Sequence, residues 1–210
     1  MLSIYRGGEG LMGNIRKVWQ PEIFYHITMR GNNKQNIFKN KEDFIFFTTT
    51  LYQANNMYTF TIIAYSLTNN HYHLLIRSPV IPLSEVLIFI NQQYSSYFKR
   101  KYKYSDQLFE TRYYTNMISD AKDLLKASKY IHRNHLYTQR TILEGLANYP
   151  YSSFIFYTDK KIRKPSYINT HLLNSLIKKY PELKMQTYTM YCETIQIEVE
   201  KSFHRPYSLT

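Results

Sequence analysis

The chain has 210 residues, 44% of them hydrophobic, which indicates a globular protein with one main domain and excludes a largely disordered chain. Its 27 Lys and Arg against 15 Asp and Glu give a formal net charge of +12, which favours a nucleic acid partner over an acidic membrane surface because no basic helix has a strong apolar face. The apolar runs are too short to cross a bilayer, the N-terminus has no apolar signal segment, and the single cysteine, Cys192, excludes an internal disulfide and a thiolate zinc cluster.

The first part of the chain predicts a strand, a helix and a pair of strands. Residues 1–15 hold four of the glycines and show no periodicity, so we expect a flexible tail there. Apolar alternation indicates strands, and a 3.6-residue spacing of apolar side chains indicates a helix. The predicted elements are a strand over 22–29, a turn at 30–33, a helix over 41–54 that Asn55-Asn56 ends, and strands over 58–67 and 71–77 joined by a turn at Asn69-Asn70.

The second part predicts a helix over 83–103, a strand over 109–118 and a helix over 120–133 with Ser119 or Asp120 as its N-cap. The order of elements indicates an α+β fold, a ferredoxin-like or RRM-like sandwich with a central antiparallel sheet and helices on one face. Residues 158–210 are expected to form a helical appendage. Its signals are an apolar stripe at Leu172, Leu173, Leu176 and Ile177 and a second helix over 188–199.

Two histidines alternate with a tyrosine in the strand predicted over 71–77. His71 and His73 point to one face and Tyr72 to the other, because side chains alternate along a strand. Two imidazoles on one face can hold a metal ion, and the alternative is a polar pair on an exposed sheet face. The apolar flanks favour a position near the middle of a sheet, and the lack of thiolates argues against a structural zinc site.

The helix predicted over 120–133 carries candidate partners for that pair. At about 100° per residue its apolar side chains form one face, with Tyr130 roughly opposite and Asn134 one turn beyond Tyr130. A metal site directed at phosphate needs a third ligand and a nucleophile, and these two residues offer both types of group. The alternative is an ordinary exposed tyrosine followed by an Asn cap, in a chain that has 22 tyrosines.

Several motifs occur in the order found in one known family. They are Tyr25-His26-Ile27 with Arg30-Gly31-Asn32-Asn33, Ile37-Phe38 with Asp43, Ala64-Tyr65-Ser66-Leu67 with Asn70-His71-Tyr72-His73-Leu74-Leu75, Phe109 with Arg112-Tyr113, Lys129-Tyr130-Ile131-His132-Arg133-Asn134, and Tyr151-Ser152-Ser153. With these motifs the chain resembles the REP-associated tyrosine transposases, the single-tyrosine branch of the HUH endonuclease superfamily, over about residues 18–157. The chain departs from the family pattern at Thr68-Asn69, Glu110 and His135, where Met-Pro, Gln and Pro are usual.

The resemblance implies a metal-dependent endonuclease that cuts and rejoins hairpin-forming single-stranded DNA through a 5′-phosphotyrosine intermediate. It implies that His71, His73 and Asn134 bind Mg²⁺ or Mn²⁺ and that Tyr130 is the nucleophile. The expected DNA contacts are Arg30, Asn32, Arg77, Lys99, Arg100, Lys101 and Arg112.

The resemblance also divides the chain. Residues 16–157 would form the transposase domain, between the tail and the appendage over 158–210. We expect a monomer or homodimer in the bacterial cytoplasm, associated with the nucleoid, and no membrane partner.

Two other functions remain open on the sequence. A protein of the same fold with weak or no catalysis would bind single-stranded nucleic acid by stacking bases on its sheet. A related HUH replication initiator or relaxase would often carry a third histidine and a second tyrosine on the nucleophile helix. The predicted helix over 120–133 has only Tyr130, which disfavours that class.

Overall fold

A four-stranded antiparallel sheet forms the centre of the computed structural model, which describes residues 19–139, 145–159 and 161–194. Its strands are β1 (Phe24–Arg30), β2 (Thr61–Thr68), β3 (His71–Arg77) and β4 (Tyr114–Ile118), in the spatial order β2-β3-β1-β4. Hairpin β2–β3 turns at Asn69-Asn70, as predicted. The order, with β1 and β3 in the middle, is that of a ferredoxin-like fold and confirms the predicted class.

Helices cover both faces of this sheet, so the prediction of helices on one face is wrong. The helices are α1 (Lys41–Tyr58), α2 (Leu83–Tyr102), α3 (Ala121–Gln139), α4 (Ile155–Thr158), α5 (His171–Lys179) and α6 (Tyr188–Glu193). One apolar cluster joins α1 and α2 to one face, and a second joins α3, α5 and α6 to the other. Because both faces are buried, the central strands carry apolar residues on both faces. The sequence therefore lacks the alternation of apolar and polar residues that would distinguish a covered face from an exposed one.

Strand β3 shows how side chains are shared between the two layers. Tyr72, Leu74 and Ile76 belong to the cluster with α1 and α2, whereas Leu75 belongs to the cluster with α3. Side chains alternate along a strand, so His73 lies on the α3 side together with Leu75. The two histidines of β3 therefore face the helix that carries Tyr130.

Some element boundaries differ from the predictions. Helix α1 continues through Asn55-Asn56 to Tyr58 and ends at Thr59, which has φ 46° in the left-handed region. Strand β4 begins only at Tyr114, because the chain before it forms an isolated bridge from Phe109 to Gly31 rather than a ladder. Helix α3 begins after Asp120, whose Oδ1 accepts hydrogen bonds from the backbone N–H groups of the next residues at 2.8 and 3.1 Å, as predicted.

The C-terminal segment packs on the outer side of α3. Three of the four residues of the predicted stripe, Leu173, Leu176 and Ile177, are buried in the cluster that α3 shares with the sheet. The helix predicted over 188–199 is observed as α6, and residues 195–199 lie outside the described residues, as does the tail predicted over 1–15. Over the part of the chain that the structure describes, no helix is long and apolar enough to cross a membrane.

Candidate functional site

The first half of the candidate site is the start of β3. His73 is buried with 3% of its surface exposed, and His71 is partly exposed at the end of the strand. Their ring centroids lie 4.9 Å apart with the rings nearly perpendicular, at 89°. The alternative of a polar pair on an exposed sheet face is therefore wrong, because α3 covers this face.

Helix α3 brings the second half of the site to the histidines. Asn134 Oδ1 lies 2.9 Å from His71 Nε2, and Asn134 Nδ2 donates to Tyr130 Oη at 3.4 Å. The Tyr130 ring meets His73 edge-on, with centroids 5.6 Å apart. The spacing of four residues places Tyr130 and Asn134 on the same side of the helix, as the sequence predicted.

The prediction that Tyr130 faces away from a core is wrong. Tyr130 is 8% exposed and Asn134 3%, because the side of α3 that bears them packs on the sheet. The helix also continues to Gln139 and so includes Tyr137, which overturns the prediction that it carries one tyrosine. The side chain of Tyr137 lies outside the described residues.

Both ring nitrogens of His71 lie within hydrogen-bonding distance of side-chain oxygen atoms. Its Nδ1 lies 2.9 Å from Thr68 Oγ1 and 2.7 Å from Asn70 Oδ1, while Nε2 faces Asn134 Oδ1. Burial lowers the pKa of His71 to about 4, against the hydrogen bond with Asn134 and with a further lowering by the Arg30 charge. A neutral imidazole carries one proton, so it cannot donate to both amide oxygens.

This excess of acceptors around His71 fits a bound cation. If Nδ1–H donates to Asn70 Oδ1, the lone pairs of His71 Nε2 and Asn134 Oδ1 face each other at 2.9 Å. A cation that both atoms bind would remove the repulsion between them. Two donors that bind one octahedral ion at about 2.1 Å lie about 3 Å apart, close to the observed separation.

His73 is oriented by two side chains of β1 that the sequence reasoning did not assign. Its Nδ1 lies 2.8 Å from Thr28 Oγ1 and 3.0 Å from His26 Nε2. Burial lowers the pKa of His26 to about 4, so His26 is neutral near pH 7. A metal ion at His73 would therefore bind Nε2, because Nδ1 is held from behind. The signal was present in the sequence, since His26 and Thr28 are two residues apart and share a strand face.

The donor predicted beside the two histidines is the amide of Asn134. No group of three His, Cys, Asp or Glu side chains arranged to hold a metal occurs among residues 19–139, 145–159 and 161–194. Two imidazole nitrogens and one amide oxygen form a mixed donor set that suits Mn²⁺ well and also accepts Mg²⁺. His71, His73 and Asn134 therefore fit a divalent ion.

Three of the predicted DNA contacts lie at, or next to, the end of the sheet where β3 begins with His71. Arg30 is the cross-strand partner of His71 and forms an ion pair with Glu110, in which Nε donates to Oε1 at 2.7 Å. Asn32 is partly exposed in the turn after β1. Arg112 is exposed in the segment before β4.

The other predicted contacts are not brought to the site. Arg77 lies at the far end of β3, within 3.8 Å of Glu22. Lys99, Arg100 and Lys101 end α2, on the opposite face of the sheet. Lys101 donates to the buried carboxylate of Asp43 at 2.7 Å, so it holds α2 against the start of α1.

A buried histidine fixes α3 between the sheet and the C-terminal segment. His132 shares hydrogen bonds of 2.8 Å with Tyr188 Oη on one side and with Ser153 Oγ on the other. Ser153 Oγ also accepts from the backbone N–H of Tyr65 in β2, at 2.8 Å. Burial lowers the pKa of His132 to about 3, so the ring bonds as a neutral group. Because His132 lies between Tyr130 and Asn134, this network fixes the height and rotation of both residues.

Comparisons with known proteins agree with this architecture. A family model described as IS200-like transposase matches residues 20–134. The structure of a REP-associated tyrosine transposase bound to a REP hairpin is similar, with a TM-score of 0.59 and 15% identity over 75% of this chain and 92% of that chain. A Deinococcus radiodurans protein assigned as a transposase has a TM-score of 0.40 and 10% identity over 65% of this chain and 97% of that chain. No curated protein sequence gives a significant match.

Proposed function

The chain belongs to the family of IS200-like transposases, and we propose that it cuts and rejoins single-stranded DNA with Tyr130 as its nucleophile. In this proposal His71, His73 and Asn134 hold a divalent metal ion, Mg²⁺ or Mn²⁺. The observation that carries it is the meeting of two distant segments. Asn134 Oδ1 lies 2.9 Å from His71 Nε2, and the Tyr130 ring lies edge-on to His73 with centroids 5.6 Å apart.

The reaction is a transesterification on a DNA phosphate. A bound metal ion would polarise the scissile phosphate and stabilise the charge that develops on its oxygens. Tyr130 Oη loses its proton and forms a bond to phosphorus while the bond from phosphorus to the 3′ oxygen breaks. The products are a 5′-phosphotyrosine on α3 and a free 3′-hydroxyl. Attack by a 3′-hydroxyl on that phosphotyrosine reverses the bond changes and rejoins a strand, so no nucleotide triphosphate is required.

The surroundings of Tyr130 prepare it for this attack. Asn134 Nδ2 donates toward Tyr130 Oη at 3.4 Å, a contact that favours negative charge on the phenol oxygen. The rings of His26 and His73 lie at steep angles to the Tyr130 ring, with centroids 5.8 and 5.6 Å from it, and limit its rotation. Nucleophile and metal donors are thus held in place before the substrate binds.

We propose single-stranded, hairpin-forming DNA as the substrate. The net charge of +12 favours a polyanion, and Arg30, Asn32 and Arg112 offer charged or polar side chains near the end of the sheet where β3 begins. The similar REP-associated transposase was solved with a REP hairpin. We propose that the protein acts as a monomer or homodimer, and that each chain carries a whole site.

The direct test is covalent capture of DNA. The protein is incubated with Mn²⁺ and a labelled single strand containing the hairpin sequence that flanks its gene, then run on a denaturing gel. Wild type should give a shifted covalent band, and Tyr130→Phe should give none at an unchanged melting temperature. Tyr52→Phe, at a tyrosine on α1 that is 50% exposed, is the matched control and should keep the band. A band that persists in Tyr130→Phe, or in excess EDTA, contradicts the proposal.

The second candidate is a single-stranded nucleic acid binding protein of the same fold without chemistry. The burial of Tyr130, which is 8% exposed, is the observation that favours it. Such a protein would bind the same labelled strand and leave no covalent band under any metal condition.

A further inference from the structure

Strand β4 continues a row of side chains that begins in the candidate site. Thr28 pairs with His73 on one side and with Tyr114 on the other. Residues directly opposite each other in a sheet project from the same face, so Tyr114 lies on the same face as His73. With strands spaced about 4.8 Å apart, Tyr114 lies about 10 Å from His73 across the sheet. The row runs from the metal donors to the open edge.

At that edge the structure has an exposed ring and a cavity. Tyr114 has 56% of its surface exposed, and Asn116 on the same face of this edge strand is exposed as well. Residues 110–114 line a shallow, largely open surface cavity of about 450 Å³. This volume is within the range of small-ligand sites, about 300–1,000 Å³. The lining combines tyrosine rings with the guanidinium of Arg112.

The charge of the cavity suits a phosphate. Glu110 is the only acidic residue of the lining, and Arg30 pairs with its carboxylate, with an Nε–Oε1 distance of 2.7 Å. Arg112 is exposed and lines the same cavity. The ion pair offsets the negative charge of Glu110, so Arg112 gives the cavity a positive balance.

We propose that this cavity is a subsite for one unpaired nucleotide of the DNA strand, next to the phosphate that Tyr130 attacks. The base stacks on Tyr114, and Arg112 contacts the backbone phosphate of that nucleotide. The proposal rests on the proposed function, because it places the nucleotide along the row from His73. Stacking on a tyrosine accepts any base, so the subsite holds the strand in position rather than reading its sequence.

Binding measurements test the role of the ring. The probe is a fluorescein-labelled strand of twelve thymidines, measured by anisotropy with EDTA present so that no cleavage occurs. Base stacking contributes about 1–3 kcal/mol, so Tyr114→Ala should weaken binding about 5- to 150-fold. Tyr114→Phe keeps the ring face and should stay within about twofold of wild type. Tyr52→Ala, at an exposed tyrosine on α1 across the sheet, is the matched control and should bind like wild type.

A photocrosslink gives a second readout, which is measured on the wild-type protein and so does not depend on whether a variant folds. The thymidines are replaced by 5-iododeoxyuridine, and the crosslinked peptide is identified by mass spectrometry. Crosslinking at Tyr114 in wild type supports the subsite. No crosslink there, or Tyr114→Ala binding within twofold of wild type, or equal weakening in Tyr52→Ala, overturns it. Neither readout requires catalysis, so failure of the subsite can be distinguished from failure of the proposed cleavage in the covalent-capture assay.

Discussion

Asn134 Oδ1 lies 2.9 Å from His71 Nε2, although 63 positions separate the two residues in the chain. This contact joins the C-terminal half of α3 to the first residue of β3. It links the helix that carries Tyr130 directly to one of the two histidines. The properties of the proposed metal site should therefore depend strongly on the amide of Asn134.

Replacing Asn134 tests its role as a metal donor. Asn134→Leu keeps the size of the side chain and removes both polar atoms, so Mn²⁺ affinity should fall by at least about tenfold. Asn134→Asp keeps an oxygen donor and adds negative charge, so it should bind Mn²⁺ at least as tightly as wild type. Titration by electron paramagnetic resonance measures free Mn²⁺ directly. Equal affinities in wild type and Asn134→Leu would exclude Asn134 as a ligand.

The two side chains behind His73 should control metal affinity without contacting the metal. Thr28→Val removes Thr28 Oγ1, and His26→Phe removes His26 Nε2. Each substitution removes one of the contacts to His73 Nδ1 that fix the orientation and the protonation of this ring. Losses of this kind typically lower affinity about 10- to 100-fold. Calorimetric titration with Mn²⁺ measures the effect, and His26→Gln, which retains a polar group, should recover part of it. Unchanged affinity in the double variant would show that His73 needs neither partner.

All four proposed site residues come from one chain. Tyr130 and Asn134 contact the histidines of the same molecule, so a protomer needs no residue from a second copy. A mixture of Tyr130→Phe and His71→Ala proteins should therefore give no covalent DNA band, even at high concentration. The gel assay on the mixture and on each variant alone measures this. Recovery of the band on mixing would mean that active molecules exchange Tyr130 between chains.

The buried carboxylate at the start of α1 should stabilise the fold near neutral pH and lose this effect in acid. Burial alone would raise the pKa of Asp43, but hydrogen bonds from Lys101, the Lys39 backbone, Tyr102 and Tyr97 outweigh it and lower the pKa overall. A lowered folded-state pKa stabilises the protein above the unfolded pKa, about 3.9, and this contribution disappears as the pH falls through the folded value.

Asp43→Asn tests this network. At pH 7 the substitution should lower the free energy of unfolding by about 1–3 kcal/mol, because it weakens hydrogen bonds to a buried charge. The difference from wild type should shrink as the pH falls below about 4. Urea unfolding at several pH values measures both effects. Asp106→Asn, at an exposed carboxylate, should change little at any pH, and a similar loss there would argue against the Asp43 network.

The sequence predicted the order of the strands and helices because that order depends on short-range periodicity. Periodicity also showed which of the proposed site residues share a face, whereas their roles came from the family resemblance and stay a prediction. Alternation in β3 puts His71 and His73 on one face, and a spacing of four residues puts Tyr130 and Asn134 on one side of a helix. Each of these patterns spans only a few residues. Neither requires knowledge of the partner element.

The errors concern contacts between distant segments. Helix α3 is apolar on one side and polar on the other, which suggests an exposed polar side. In the structure the side that bears Tyr130 and Asn134 is buried too, because it packs on the sheet and Asn134 finds a polar partner in His71. The pattern over residues 109–113 predicted a strand, but this segment forms only an isolated bridge from Phe109 to Gly31, just after β1. Single-segment patterns do not reveal such partners.

The bond between His132 and Tyr188 has a consequence for protein synthesis. The chain leaves the ribosome with its N-terminal part first, so β3 and most of α3 emerge well before Tyr188. A nascent chain that ends at residue 160 already contains all four proposed site residues, but it lacks the layer that covers α3 and the partner of His132 Nδ1. Prematurely terminated products should therefore be poor at the proposed DNA cleavage, and the full proposed activity should appear only once translation has passed α6.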